Sequence, residues 1–463
     1  MSKIVLCFPK NGASAANVTV FLPLSVLAIA ACVVDEHEVH IFDERVDPIE
    51  KYKALLDTKP DIVGISTITG YQIEYGLALA TEARKCGATI VWGGVHPSLL
   101  PEQTIQHPLV DYVVVGDGEV AFKHLVEQLA RAEKPANRIV QLPLPAELET
   151  LPDIPYHLVD IERYVTSIKF HGKRALPFLF SRGCPFRCKY CSTGLLTKKW
   201  RSLPIDVALE RLCHLVERYC LNYVEFFDEN ITTHSQRFET FARGIPKGVN
   251  WMIQSRLNAV LKLDLPLLKQ CGMDIISSGL ESGSNRILEA VGKGETVVEY
   301  LEANRMLAAV GITSNYNMMM GFPEETLEDL HASIDLTLQV LNENPYANFS
   351  PFYVFQPYPM TPLAIQYKVK GYETLEEWAD FNRHNMRTPF AADRVDLLEN
   401  ITFSSKYVGR LFREMFPGDQ AILSLEEELR HKWQIKDFLS ADWKPLRQKH
   451  QEIITAKFGK DAY

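Results

Sequence analysis

Apolar residues in the first third of the chain come in short blocks, and the segments between them carry helical spacing. Lys3–Phe8 is a short apolar run, Leu22–Val34 a helix with Pro23 in its first turn, and Glu38–Asp43 the next strand. A polar helix follows around Ile49–Thr58, then a buried strand at Asp61–Ser66 and a helix from about Gln72 to Cys86. Thr89–Gly93, a helix near Pro101–Ile105, a fifth strand at Asp111–Val115 and a closing helix at Ala121–Ala132 complete the series. That rhythm predicts an α/β domain, a doubly wound, Rossmann-like (flavodoxin-like) parallel sheet with its ligand crevice at the carboxyl ends of the strands. The turns at those ends are Ser66-Thr67-Ile-Thr-Gly70, Gly93-Gly94-Val-His96-Pro97 and Gly116-Asp-Gly118-Glu119. Glycines there let backbone approach a large ligand closely.

The rhythm changes twice. Residues 134–176 are dotted with proline (Pro135, Pro143, Pro145, Pro152, Pro155) and predict a surface linker. Strand and helix signals then alternate again, with strands at Lys173–Ser181, Tyr223–Ile231, Asn250–Arg256, Ile275–Ser284, Ser314–Met320 and Asn348–Phe355. Beyond about residue 370 the chain predicts amphipathic helices rich in charge and aromatics: Leu375–Arg383, Ser405–Met415, Leu425–Leu439 and Trp443–Phe458. The expected domains are 1–133, a linker 134–176, 177–370 and a helical region 371–463.

At 463 residues, with 46% hydrophobic and 23% charged positions, the chain has the composition of an ordinary multidomain globular protein. A net charge of −9, from 49 basic and 58 acidic side chains, argues against a nonspecific nucleic-acid binder. The N-terminus reads as a strand rather than a signal peptide. The longest apolar stretch, Val20–Val34, is interrupted by Pro23 and Ser25 and is too short to span a bilayer. A soluble cytoplasmic protein without a membrane span is expected. Cys7, Cys32, Cys86, Cys213, Cys220 and Cys271 are scattered among apolar neighbours and suggest no disulfide framework.

The remaining three cysteines change the picture. Ser181-Arg-Gly-Cys184-Pro-Phe-Arg-Cys188-Lys-Tyr190-Cys191 has the spacing Cys-x3-Cys-x2-Cys, with no fourth cysteine close behind. Zinc sites and electron-transfer clusters ordinarily take four ligands, so a three-thiolate loop suggests a [4Fe–4S] cluster with one iron left open. A zinc knuckle completed by a distant His or Cys, or three unligated thiols, are the alternatives.

With this loop the sequence resembles the radical S-adenosylmethionine (SAM) superfamily, whose aromatic residue before the third cysteine falls on Tyr190. A flavodoxin-like domain placed before the loop resembles, more narrowly, the cobalamin-dependent radical SAM enzymes, over roughly residues 1–370. The resemblance implies a partial (β/α)6 barrel for the second domain, with its chemistry at the carboxyl ends of the strands. It implies cluster ligation by Cys184, Cys188 and Cys191. SAM contacts would come from Tyr190 against the adenine, Asp228 and Glu229 on the amino group, and Arg256 on the carboxylate. Glu281 and Ser282 would take the ribose hydroxyls, and Gly321 would let the adenine lie against backbone. Cobalamin would be held by Ser66, Thr67, Gly93, Gly94, His96, Gly116 and Gly118. The loop after the first strand, Phe8–Asn17, lacks the His that ligates cobalt in many cobalamin domains, which leaves Tyr71 as a candidate for the lower face. Met360 stands where relatives usually have Gly, whereas Lys293-Gly294 matches them closely.

The activity so implied is a methyltransferase acting on an unactivated carbon, through a 5′-deoxyadenosyl radical and methylcobalamin. The substrate would be a small molecule or lipid-like metabolite, and a flavodoxin or ferredoxin would supply electrons. Cyclisation or rearrangement on the same architecture is the alternative. So is a radical SAM oxidoreductase whose first domain binds no cobalamin.

Overall fold

The computed structural model describes residues 1–12, 20–165, 173–197, 199–367, 372–381 and 388–458. The loop after the first strand therefore lies outside the described residues from Ala13 onward, as do the last two residues of the expected helix Leu375–Arg383. The chain divides into two compact units. One comprises 1–176, 195–207 and 358–385, the other 177–194, 208–357 and 386–463.

The first unit holds a six-stranded sheet: β1 (Lys3–Phe8), β2 (Glu38–Asp43), β3 (Ile62–Ser66), β4 (Thr89–Gly93), β5 (Tyr112–Val115) and β6 (Ile139–Gln141). The order is β2-β1-β3-β4-β5-β6 and every neighbouring pair is parallel. Strands covered on both faces read as unbroken apolar runs, and Ile4, Val5, Leu6 and Cys7 are all buried accordingly. The helices are α1 (Leu24–Ala31), α2 (Ile49–Asp57), α3 (Tyr71–Lys85), α4 (Val95–Leu99), α5 (Pro101–Thr104) and α6 (Glu119–Ala130). The order reverses between β1 and β3, which opens a crevice at their carboxyl ends. Within residues 134–176, expected as a linker, Ile139–Gln141 pairs with β5 and extends the sheet, and Glu162–Val165 forms a helical turn.

The second unit is built on a second sheet, with β7 (Ala175–Phe178), β8 (Tyr223–Phe226), β9 (Asn250–Gln254), β10 (Met273–Glu281), β11 (Thr313–Met320) and β12 (Ala347–Phe349). Their order is β12-β11-β10-β9-β8-β7, and a short β13 (Tyr353–Val354) pairs with β11. From β8 to β12 the neighbours are parallel. These are the strands expected of a partial barrel, the sixth split at Ser350-Pro351-Phe352, where Pro351 has no N–H to continue a ladder. The sheet's filling is aromatic: Phe180 stacks on Phe241 with centroids 4.4 Å apart, and Phe226 meets Trp251 edge-on at 5.8 Å.

The C-terminal helices run Val395–Val408, Leu411–Met415, Gln420–Gln434 and Trp443–Phe458. The single helix expected at Ser405–Met415 is broken at Gly409-Arg410, where Arg410 takes a φ of 65°. The next helix starts earlier than expected because the Asp419 carboxylate caps the Ala421 and Ile422 amides at 3.0 and 3.2 Å.

Candidate functional site

The cysteine loop leaves β7 and is fixed from three sides. Gly183 turns the backbone at a φ of 90° and donates its N–H to the Glu229 carboxylate at 3.0 Å. Asp228, wholly buried, accepts from the Phe180 amide at 3.2 Å and from both the amide and hydroxyl of Ser181. Burial pushes the Asp228 carboxyl up to about 7, against the lowering effect of those donors. On the far side the Lys189 amide donates to the Val291 carbonyl at 2.8 Å and its ammonium to the Ala290 carbonyl at 2.7 Å. A tight turn from Cys188 to Cys191 (3.1 Å) closes the loop.

Cys184, Cys188 and Cys191 are all half-buried. Burial raises the Cys184 thiol, and the neighbouring Cys188 and Cys191 thiols raise it further, so the three sense one another's charge. Among the described residues no group of three His, Cys, Asp or Glu is gathered to hold a single metal ion. The thiolates of an iron–sulfur cluster bind different irons, and this half-buried trio, with no fourth cysteine near, fits a cluster with an open position.

Behind the loop lies a buried set of charges. Glu281 ends β10 at a bulge and holds a φ of 67°, a left-handed conformation rare for a side chain other than glycine. Its carboxylate accepts from the Tyr190 hydroxyl at 3.0 Å and from the Lys293 ammonium at 3.1 Å. Burial lowers the Lys293 pKa, but Glu281 and Glu295 outweigh it and hold the ammonium above its ordinary range. The Tyr190 hydroxyl is raised well above normal, first by burial and then by Glu281. Glu295 stands 3.4 Å from Arg256 and 3.5 Å from Lys293. Arg256 also donates to the Lys293 carbonyl, lies over the Phe186 ring at 3.9 Å, and points Nη1 at the Cys188 sulfur, 3.6 Å away. Its Nε is buried without a hydrogen-bond partner among the described residues.

The structure thus gathers Tyr190, Glu229, Arg256 and Glu281 about the cysteine loop. It gives Asp228 and Ser282 other tasks. Asp228 holds the entry to the loop. Ser282 is fully buried, 3.3 Å from the Ser333 hydroxyl, and accepts from the Ser284 amide at 3.1 Å. Gly321 has a φ of 83°, and a Cβ there would stand 3.3 Å from both Ala391 and Val354. Lys293, Glu295 and Phe186 were not expected as site residues. Lys293 carried a signal in its match with Gly294 to the relatives, whereas Glu295 stood only in a short charged run, usually solvated, and Phe186 only inside the cysteine loop.

In the first unit the crevice residues also converge. The His96 amide donates to the Thr67 carbonyl at 3.1 Å, and the Thr67 amide to the Gly93 carbonyl at 3.0 Å. Gly94 has a φ of 95°, and a Cβ on it would come within 2.7 Å of Thr67 and 2.9 Å of the Ser66 hydroxyl. Gly116 and Gly118 take φ values of 91° and 89°, and a Cβ on Gly118 would strike Ile29 at 2.8 Å. Gly93 differs: a Cβ there would meet Val114 at an ordinary 3.7 Å, so the protein's own packing does not demand a glycine. His96 lies in α4 rather than in a turn, fully buried, with Nδ1 3.0 Å from the Thr69 hydroxyl and Nε2 without a partner among the described residues. Burial depresses its pKa to about 3, so the ring is neutral. The Thr67 hydroxyl is likewise buried without a partner among the described residues. Two orphaned polar atoms beside a glycine that packing does not require fit a polar ligand entering this crevice. Tyr71 is half-buried at the first position of α3.

Two family models match the chain: residues 178–337 match the Radical SAM superfamily and 15–126 the B12 binding domain. The chain is 29% identical over 385 residues to an uncharacterized methyltransferase, PH0819, of Pyrococcus horikoshii, covering 78% of this chain and 82% of that one. It is 27% identical to the anaerobic magnesium-protoporphyrin IX monomethyl ester cyclase of Rubrivivax gelatinosus, over 74% of this chain and 64% of the cyclase. Among solved structures, the cobalamin-dependent SAM radical enzyme OxsB with aqua-cobalamin bound superposes with a TM-score of 0.69 at 19% identity, over 99% of this chain and 81% of that one. Among the described residues no helix is long and apolar enough to cross a membrane. The chain thus carries a B12-binding domain followed by a radical SAM domain, and in that order of domains it is similar to the cobalamin-dependent radical SAM enzymes.

Proposed function

We propose that the protein is a cobalamin-dependent methyltransferase acting on an unactivated carbon of a small molecule. The observation that carries this reading is the half-buried trio Cys184, Cys188 and Cys191, fixed beside Glu229 and Arg256 at the carboxyl ends of a parallel sheet. When bound, the cluster and SAM supply a 5′-deoxyadenosyl radical, and cobalamin supplies the methyl carrier. The protein's own part is positioning. Glu229, the exposed member of the acidic pair, is assigned to the amino group of SAM, and the free Arg256 Nε direction to its carboxylate. Asp228 holds the loop's backbone, and Glu281 orients the Tyr190 ring through its hydroxyl. In the first unit, His96 Nε2 and the Thr67 hydroxyl are assigned to polar groups of cobalamin, with Gly93 admitting its close approach. A low-potential one-electron donor such as flavodoxin or ferredoxin, a cytoplasmic setting and a substrate other than nucleic acid belong to the same reading.

Ring closure or rearrangement is the second reading, favoured by the likeness to the magnesium-protoporphyrin cyclase. Anaerobic reconstitution with iron, sulfide and hydroxocobalamin, followed by desalting and metal analysis, tests both. Four irons and one cobalt per chain, with methylated product and 5′-deoxyadenosine in equal amounts, support methyl transfer. 5′-Deoxyadenosine without methylation supports the second reading. Four irons without cobalt overturn the cobalamin mechanism.

A further inference from the structure

Arg256 is held more tightly than a residue waiting only for a ligand would need. Its Nη2 edge is occupied by the Lys293 carbonyl and the Glu295 carboxylate, and the plane of its guanidinium lies on the Phe186 ring. Those three contacts direct Nη1 to the sulfur of Cys188 at 3.6 Å, a distance suited to an N–H···S hydrogen bond. Only 7% of Arg256 is exposed, so solvent screens its charge weakly. Planar, permanently charged and weakly hydrated, a guanidinium can be fixed in this way where a lysine could not.

We propose that Arg256 is a positioning residue for electron entry: it donates to the Cys188 thiolate and raises the reduction potential of the cluster that the three thiolates hold. The inference rests on the cluster assignment above. Reduction adds one electron and one negative charge to the cluster, taken from a low-potential one-electron donor, with no bond made or broken. A donor and a positive charge on a ligand sulfur stabilise the reduced form more than the oxidised one. Glu295 sets how much of that charge is felt. Arg256 and Lys293 bring two positive charges, Glu281 and Glu295 two negative, so the pocket is balanced before any thiolate is counted.

The test is an EPR-monitored anaerobic redox titration of the reconstituted full-length protein without SAM, made only on samples holding four irons. Arg256→Met is expected to disfavour reduction about tenfold, which is ~59 mV lower for a one-electron couple. Glu295→Gln, which removes the balancing charge and leaves the guanidinium, is expected to shift the potential the opposite way. A merely structural role does not produce shifts of opposite sign. Phe186 is 36% exposed, so Phe186→Leu spares the fold and decides the matter when the buried variants lose iron. It frees the guanidinium from its stack and is expected to lower the potential. An unchanged potential in a four-iron Arg256→Met or Phe186→Leu protein overturns the inference and leaves the cluster assignment standing. Wild-type protein that never takes up four irons overturns the cluster assignment itself.

Discussion

Glu325 shows how far a single side chain's chemistry is set by its surroundings. It is buried, with Oε2 accepting from the Gly321 amide at 2.5 Å and Oε1 without a hydrogen-bond partner among the described residues. Burial pushes its carboxyl up to about 8; Asp329 adds to the rise and Arg286 opposes it. A carboxyl raised in the folded state favours folding fully below its unfolded value of 4.5, and that contribution is lost as pH rises through about 8. Glu325→Gln, neutral at every pH, should therefore gain stability relative to the wild type as pH rises from about 5 to 9, read as a growing difference in Tm. A difference that stays flat across that range would show Glu325 to be ionised in the fold. The sequence displayed the acidic pair Asp228-Glu229 plainly, but not which member turns inward. Asp228 faces its own loop because β7 brings the Phe180 and Ser181 amides beside it, and only the assembled sheet supplies those donors.

Individual elements were legible to different depths for reasons of length and surroundings. Buried parallel strands are marked by unbroken apolar runs, and β1 and β5 fall where such runs do, whereas β11 alternates buried and half-buried positions. Ile139–Gln141 escaped because three residues between prolines carry no periodicity, and its pairing with β5 comes entirely from its neighbour. The helix expected from Leu375 is found at Leu375–Ala379, a single turn and a half that leans on tertiary packing. It lies against α3, and Trp378 donates from its indole to Gln103 at 2.6 Å and meets the His96 ring edge-on at 5.6 Å. Trp378→Ala should cost about 3–5 kcal/mol in chemical denaturation. It should also loosen His96 and so weaken cobalamin uptake. Uptake unchanged in a folded Trp378→Ala protein would separate this contact from the crevice.

At the scale of the whole molecule, the two sheets were foreseeable but the path of the chain between units was not. Segments 195–207 and 358–385 return to the first unit, and nothing in their composition marks the return. One of them brings Arg201, whose guanidinium reaches Asp117 at 2.8 Å and the Pro145 carbonyl at 2.7 Å. The other brings Trp378 and Phe381, both buried. A fragment of residues 1–176 should consequently unfold well below the temperature of the first unit in the intact chain, and expose apolar surface to a hydrophobic dye. A fragment equal to the intact unit in both respects would show these segments to be passengers.

The chain passes from one unit to the other five times, after residues 176, 194, 207, 357 and 385. A protein leaves the ribosome in sequence order, so the crevice of the first unit, though built mostly from early residues, lacks the Trp378 ring against His96 until residue 378 has been synthesised. A single cut therefore cannot transfer the first unit whole from one chain to another.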